Sequence, residues 1–279
     1  MKIKPEDLAK ISAYLTVIII GFVYLFPIFW AFISAFKYEA DIFNPALLIP
    51  LRLTLQNFQE PYFKPIFLNW IGNSIIVSGG TTIITILISV PAGHILARVR
   101  SKFYHLLSRI LVFAYLFPST FLVVGFIRLL GVLGLLNSHI GLILAYVAFN
   151  APYVVYLVYS YMFAIPTELE EALLIDGYTK IDVLRKLIFP LSFPVIVTGV
   201  LWTFMQTWNE VLYALVILSS PELMTAPIGM ATLQPGESIT PWGTLWAFSL
   251  VYSIPPLIVF YLLQQYYITG LMRGAVKAA

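Results

Sequence analysis

The sequence predicts an all-α, polytopic membrane protein with six transmembrane helices, and three observations carry that prediction. Of the 279 residues, 60% are hydrophobic and only 10% are charged, against about 25% charged in an average soluble domain. The few charges are also bunched. Uncharged runs of 26 (Ile11–Phe36), 33 (Pro65–Ala97), 18 (Ile110–Ile127), 39 (Leu129–Thr167), 23 (Leu187–Asn209) and 35 residues (Ser238–Met272) separate them, and about 20 apolar residues let one helix cross a bilayer core. Finally, the runs lack the roughly ten-residue polar/apolar alternation of a membrane barrel. In lipid, a helix satisfies its backbone amides within its own segment.

The spans fall near residues 12–36, 68–97, 107–130, 140–164, 191–218 and 243–269. The first lacks an obvious signal-peptidase site and exceeds the length of a signal-peptide apolar region, so it is expected to stay as a helix. The fifth carries Glu210 and the sixth carries Pro255 and Pro256; both remain apolar enough to cross, since neighbouring helices can satisfy carbonyls freed at a kink. Together they make residues 1–279 a single transmembrane domain, with no room for a soluble catalytic domain.

Lysine and arginine set the orientation, because basic residues concentrate on the cytoplasmic side. With the N-terminus inside, twelve of the sixteen bases are cytoplasmic: Lys2, Lys4, Lys10, Arg98, Arg100, Lys102, Arg109, Lys180, Arg185, Lys186, Arg273 and Lys277. Lys37, Arg52, Lys64 and Arg128 fall outside. Both termini are then cytoplasmic, and the protein belongs in the plasma membrane. The external loop 37–67, with Pro45, Pro50, Pro61 and Pro65, is either a surface that touches an external partner or a plain connector.

Composition also excludes chemistry. With no cysteine, disulfides, thiolate metal sites and thiol nucleophiles are ruled out. A net charge of +3 is too small to imply nucleic acid. His94, His105 and His139 show no metal-ligand spacing and read as structural. No nucleophile–base or metal constellation lies within the spans, which disfavours a membrane-embedded enzyme. One intramembrane acid and no clear inverted repeat disfavour an ion-coupled secondary transporter, the alternative reading.

One loop departs from the rest. Residues 165–190 hold five of the thirteen acids and three of the bases. Thr167 and Glu170 have capping-box spacing, so a helix should begin there. Leu169, Ala172 and Leu173 fall on one side of it, and Glu168 and Glu171 share another. Gly177, after Asp176, can take the left-handed conformation that ends a helix. Thr179 and Asp182 repeat the cap for a second short helix, which Pro190 and Pro194 would stop or bend. Such a helix either lies on lipid headgroups or docks in a protein cleft. Its acids suit the cleft better, because the cytoplasmic leaflet is anionic.

Glu171-Ala172-Leu173, Asp176-Gly177 and Ile188-Phe189-Pro190-Leu191 resemble the EAA motif of permease subunits of ATP-binding cassette (ABC) importers. Leu173 stands where the motif has a second alanine, and Tyr178 where a small residue usually follows the glycine. Phe26-Pro27 to Ser34 with Phe36-Lys37, Asn73-Ser74, Gly134 to Ser138, Trp208-Asn209-Glu210 and the tail from Gly270 to Lys277 resemble the carbohydrate branch, specifically its second permease of the maltose-transporter G-subunit type. The resemblance spans essentially the whole chain. It implies a type I ABC importer permease fold, MetI-like. It also implies a second homologous permease, two cytoplasmic ABC ATPase subunits that use ATP and magnesium, an extracellular sugar-binding protein, and no cofactor on this chain. On it, the cytoplasmic loop 165–190 is the ATPase coupling element, with Glu168, Glu171, Ala172, Asp176, Gly177 and Pro190 as its residues. The residues themselves agree on one point: the chain contains no G-x-x-x-x-G-K-[ST] phosphate loop, so by that route it cannot hydrolyse ATP.

Glu210 is the only carboxylate inside a predicted span. Burying it costs about 2.5 kcal/mol or more on insertion scales, so it should face a polar cavity or another helix. With Gln206, Trp208, Asn209 and Tyr213 nearby and Asn150 in span four, it forms a candidate substrate pathway, because amide, carboxylate and aromatic side chains suit sugar hydroxyls and C–H faces. A structural hydrogen bond to another helix explains Glu210 equally well. The tail bases Arg273 and Lys277 are either a membrane anchor or, on the resemblance, part of a contact with the ATPases.

Overall fold

In the computed structural model the described residues are 5–44, 47–50, 52–59, 63–99, 101–233 and 241–276. Lys2, Lys4, Pro45, Pro61, Arg100 and Lys277 lie outside them. The described chain is helical throughout, with no strand. Its α-helices are α1 (Pro5–Ala35), α2 (Glu39–Ile42), α3 (Pro65–Arg98), α4 (Lys102–Leu116), α5 (Val123–Val132), α6 (His139–Met162), α7 (Thr167–Ile175), α8 (Lys180–Val183), α9 (Phe189–Leu191), α10 (Phe193–Trp208), α11 (Leu212–Ile217), α12 (Ala226–Thr232) and α13 (Trp242–Val276).

Four helices are long and apolar enough to span alone: Lys10–Ala35, Pro65–Arg98, His139–Met162 and Trp242–Tyr266. They match the first, second, fourth and sixth predicted spans. The other two spans are broken, which the uncharged runs did not reveal. The third bends by 92° between Lys102–Leu116 and Ser119–Val132. Its cause is Pro118: the residue before a proline is driven out of the helical region, and Phe117 is extended at φ −72°, ψ 127°. At the start of the fifth, the chain bends by 76° between Lys180–Leu191 and Phe193–Trp208, where Pro190 and Pro194 flank the joint. That span also stops at Trp208 instead of continuing to residue 218, and the chain re-enters a helix only at Leu212.

The chain forms two compact units. One comprises Met1–Phe67 and Met230–Ile254. In it, Lys37 is fully buried. Its Nζ donates to the Leu47 carbonyl at 2.7 Å and lies 4.3 Å from the Trp30 ring centroid. Burial pulls that ammonium below its ordinary pKa, and the nearby Asp41 carboxylate opposes the shift. The Asn57 amide donates to the carbonyls of Ala35 and Lys37, and the Glu39 carboxylate accepts from the amides of Trp242 and Gly243 at 2.9 and 3.0 Å. A carboxylate at those orphan amides caps the start of α13 and complements its dipole. The described part of loop 37–67 is thus ordered by its own polar residues.

The second unit comprises Leu68–Gly229 and Pro255–Ala279. It holds two apolar clusters, one around Leu142, Tyr146, Tyr213 and Ile228, the other around Val90, Val158, Met162 and Ile188. In lipid the hydrophobic effect does not drive helices together, and close packing of small residues substitutes. Helix α3 shows this: Ser74, Ser78, Thr81, Thr85 and Ser89 form a buried stripe of small hydroxyl residues. At Gly93 a Cβ would sit 2.8 Å from the Val158 side chain, so only glycine allows α3 and α6 to cross that closely. At its other end α3 holds the segment before α12. Trp70 Nε1 donates to the Pro221 carbonyl, Asn73 Nδ2 donates to the carbonyls of Glu222 and Met224, and Ser74 Oγ accepts from the Ala226 amide.

Candidate functional site

The loop between α6 and α10 forms the first part of the site. Helix α7 begins at Thr167, preceded by Pro166, and carries no side-chain cap. The capping box expected of Thr167 and Glu170 is absent because Glu170 is engaged elsewhere. Its Oε1 accepts from Arg98 Nε at 2.7 Å and its Oε2 from His94 Nε2 at 2.8 Å, and all three side chains are 12–17% exposed. Arg98 Nη2 also donates to the Ile165 carbonyl at 2.7 Å. His94 is therefore not isolated, although no spacing in the sequence pairs it with Glu170. His105 Nδ1 lies 3.0 Å from the Ser101 carbonyl and His139 Nε2 2.9 Å from that of Leu223, the structural roles expected.

Glu168, Glu171, Ala172, Asp176 and Gly177 are all exposed. Gly177 has φ +86°, the left-handed turn that an L side chain adopts only with strain, and its amide donates to the Leu174 carbonyl at 3.1 Å. The second cap forms as a full capping box: the Thr179 hydroxyl accepts from the Asp182 amide, and the Asp182 carboxylate accepts from the Thr179 amide and hydroxyl. Those hydrogen bonds hold the Asp182 carboxyl below its ordinary pKa, with Lys186 and Arg185 adding to the effect. A π-helical turn, Leu184–Ile188, follows, and Pro190 is exposed in α9, next to the bend. Leu169, Leu174, Ile175 and Tyr178 are exposed beside the acids, Ile175 at 85%. The loop thus presents an acidic and apolar surface with none of its three outward acids in an ion pair among the described residues.

The second part is a cavity of about 420 Å³ where the third and fifth predicted spans break. Asn150, Gln206, Glu210 and Tyr213 all line it, with Tyr115, Ser119, Tyr146, Phe149, Trp202 and Thr207. Trp208, at 1% exposure, and the exposed Asn209, whose amide donates to the Met205 carbonyl, do not. Tyr115 and Trp202, on α4 and α10, form an aromatic wall that no sequence spacing brings together. Tyr115, Tyr153 and Trp202 form one aromatic cluster with centroids 4.5–6.3 Å apart.

Glu210 explains the break in the fifth span. Its Oε1 accepts from the Tyr213 amide at 2.9 Å, and its Oε2 accepts from the Ala214 amide at 3.2 Å and from the Tyr146 hydroxyl. The carboxylate thus starts α11 as an N-terminal cap and fastens it to α6. Asn150 Nδ2 donates to the Tyr146 carbonyl, and the Tyr213 hydroxyl to that of Ser119 at 2.6 Å. Glu210 therefore makes a hydrogen bond to another helix and also lines the cavity.

Residues 89–273 match the family described as the binding-protein-dependent transport system inner membrane component. The chain is 30% identical over 276 residues to the trehalose/maltose transport system permease protein MalG of Thermococcus litoralis, covering 98% of this chain and 99% of that one. It is 34% identical over 255 residues to the sulfoquinovosyl glycerol transport system permease protein SmoH of Agrobacterium fabrum, covering 91% and 89%. A chain of the solved bacterial ABC transporter that imports the acidic polysaccharide alginate superposes with a TM-score of 0.82 at 20% identity, over 96% of this chain and 99% of that chain. That match shows the fold, a type I ABC importer permease. The chain belongs to the binding-protein-dependent transport system inner membrane component family, and it is a multi-pass membrane permease subunit of an ABC importer.

Proposed function

We propose that this permease imports a sugar or related carbohydrate, that it forms half of the translocation pathway as one transmembrane domain, and that its energy comes from separate ATPase subunits. The observation that carries this reading is the exposed acidic and apolar surface of α7 and its glycine turn, in a chain with no phosphate-binding loop of its own. Relatives named for trehalose, maltose and sulfoquinovosyl glycerol transport support the substrate class. In this arrangement both termini and the loop 165–190 are cytoplasmic. A second homologous permease completes the pathway. Two ABC ATPases, using ATP and magnesium, dock on Glu168, Glu171, Ala172, Asp176 and Gly177 and on the counterpart loop. An external sugar-binding protein delivers substrate. This chain holds no cofactor and catalyses no hydrolysis.

ATP-driven closure of the ATPases brings the two coupling loops together and switches the cavity from one side to the other by rigid-body motion. The 420 Å³ cavity is of a size small ligands fill. Its side-chain amides match sugar hydroxyls, and the Tyr115 and Trp202 rings match C–H faces. The test is copurification and reconstitution in proteoliposomes. Uptake of labelled maltose or trehalose that requires ATP, both permeases and the ATPase supports the reading. Uptake driven by an ion gradient without ATPase contradicts it.

A further inference from the structure

Helix α7 is held to its own unit at few points. None of its residues is buried, Leu173 alone of its side chains packs against the neighbouring apolar cluster, and among the described residues its side-chain hydrogen bonds to other elements are those of Glu170. A partner that pushes on such a helix would displace the helix alone unless something transmits the force. Glu170 is turned away from the outward acids Glu168 and Glu171, and its partners sit at the Arg98 end of α3. Charge-assisted hydrogen bonds of this kind are the shorter and stronger ones. Arg98 is doubly committed, to the Glu170 carboxylate and to the Ile165 carbonyl that closes the turn before α7. At Gly93, one turn back from Ala97 on α3, Val158 of α6 lies so near that a Cβ would come within 2.8 Å of its side chain. The clamp therefore links α7 to α3, which passes close to α6 at Gly93.

We propose that Arg98 and His94 are positioning residues for energy coupling: by gripping Glu170 they make α7 one rigid body with α3 and α6, so that movement of a docked ATPase reaches the cavity. The proposal rests on reading α7 as the ATPase dock. It separates two jobs on adjacent residues, with Glu171 facing the partner and Glu170 facing the permease's own helices.

The test uses the assembled importer in proteoliposomes. The chain has no cysteine, so Ala114→Cys introduces a single thiol on the cavity wall, whose maleimide labelling is compared with and without ATP. Glu170→Gln and Arg98→Ala are each expected to keep the ATPase bound, to lower substrate moved per ATP hydrolysed by about tenfold, the scale of a typical coupling energy, and to abolish the ATP-dependent change in labelling. Because both act through one contact, the Arg98→Ala/Glu170→Gln double variant should be no worse than the weaker single. A residue that only stabilised the fold would lower the yield of complex and leave substrate per ATP unchanged. Should Arg98→Ala fail to insert, Glu170→Gln, which keeps the side-chain volume and an acceptor oxygen, carries the test. Wild-type coupling and labelling in Glu170→Gln overturns the proposal. Absence of any ATPase on the wild-type permease would instead overturn the docking reading beneath it.

Discussion

The loop around α7 and the break after α10 both interrupt apolar helix with carboxylates, and they use them in opposite ways. At α7 the acids Glu168, Glu171 and Asp176 point outward with no ion-pair partner among the described residues, and only Glu170 is consumed internally. At the break, Glu210 accepts from two backbone amides and one tyrosine hydroxyl. An ionised carboxylate offers about four acceptor positions, so Glu210 keeps at most a small part of its capacity for a ligand. A carboxylate left exposed in a chain that otherwise avoids charge is available to a partner. One placed inside a span is first of all needed to satisfy the backbone there.

That contrast can be broken at either end. The largest effect is expected from Glu171→Lys, which reverses an outward charge, and from Gly177→Asp, which forces a side chain into a left-handed turn at a cost of about 1–2 kcal/mol. Each should abolish ATP-dependent uptake while membrane insertion persists. Uptake assays paired with membrane fractionation check this. Next comes Glu210→Ala, which orphans the Tyr213 and Ala214 amides and the Tyr146 hydroxyl. It should destabilise the permease by about 2–3 kcal/mol, read as a lower thermal midpoint in detergent, with Glu210→Gln in between. A change in uptake with no change in midpoint would instead favour a substrate role for Glu210.

Asn137 offers a finer test of the same side. Its Oδ1 accepts from the amides of Ser219 and Ser220, and its Nδ2 donates to the Ser220 hydroxyl at 2.8 Å. Asn137→Ala should cost about 1–2 kcal/mol and loosen the segment after α11, visible as faster amide exchange there. The smallest effect is expected at the Asp182 cap. Its pKa is depressed in the folded loop, so its contribution is present above the ordinary carboxylate pKa and is lost as pH falls through the depressed one. Thr179→Ala should remove that acid-side dependence, measured by exchange of the α8 amides against pH.

Much of this was legible in the sequence. Uncharged runs located the four helices long enough to span alone and the region of the two bent pairs, and the left-handed turn at Gly177 and the Thr179–Asp182 cap followed from local chemistry. The misses share a cause. Thr167 and Glu170 have the spacing of a capping box, but a charged pair with Arg98, 72 residues away, outweighs a local cap. No pattern in sequence places His94 beside it. The bends at Pro118 and after Leu191 were hidden because a proline in an apolar run can be absorbed or can turn the chain, and the neighbours decide which. Of the residues expected along a pathway, Asn150, Gln206, Glu210 and Tyr213 share one cavity. Trp208 and Asn209 do not: Trp208 is buried at the last position of α10, and Asn209, just past it, is exposed.

The central claim is that the outward acids of α7 receive the ATPase and the inward one passes its motion on. It is tested most directly by one paired measurement on the reconstituted importer, ATPase copurification and substrate moved per ATP in Glu171→Lys and Glu170→Gln. Glu171→Lys is expected to lose the ATPase, whereas Glu170→Gln keeps the ATPase and loses the coupling. Normal import in Glu171→Lys, or the same loss of ATPase in both variants, would contradict it.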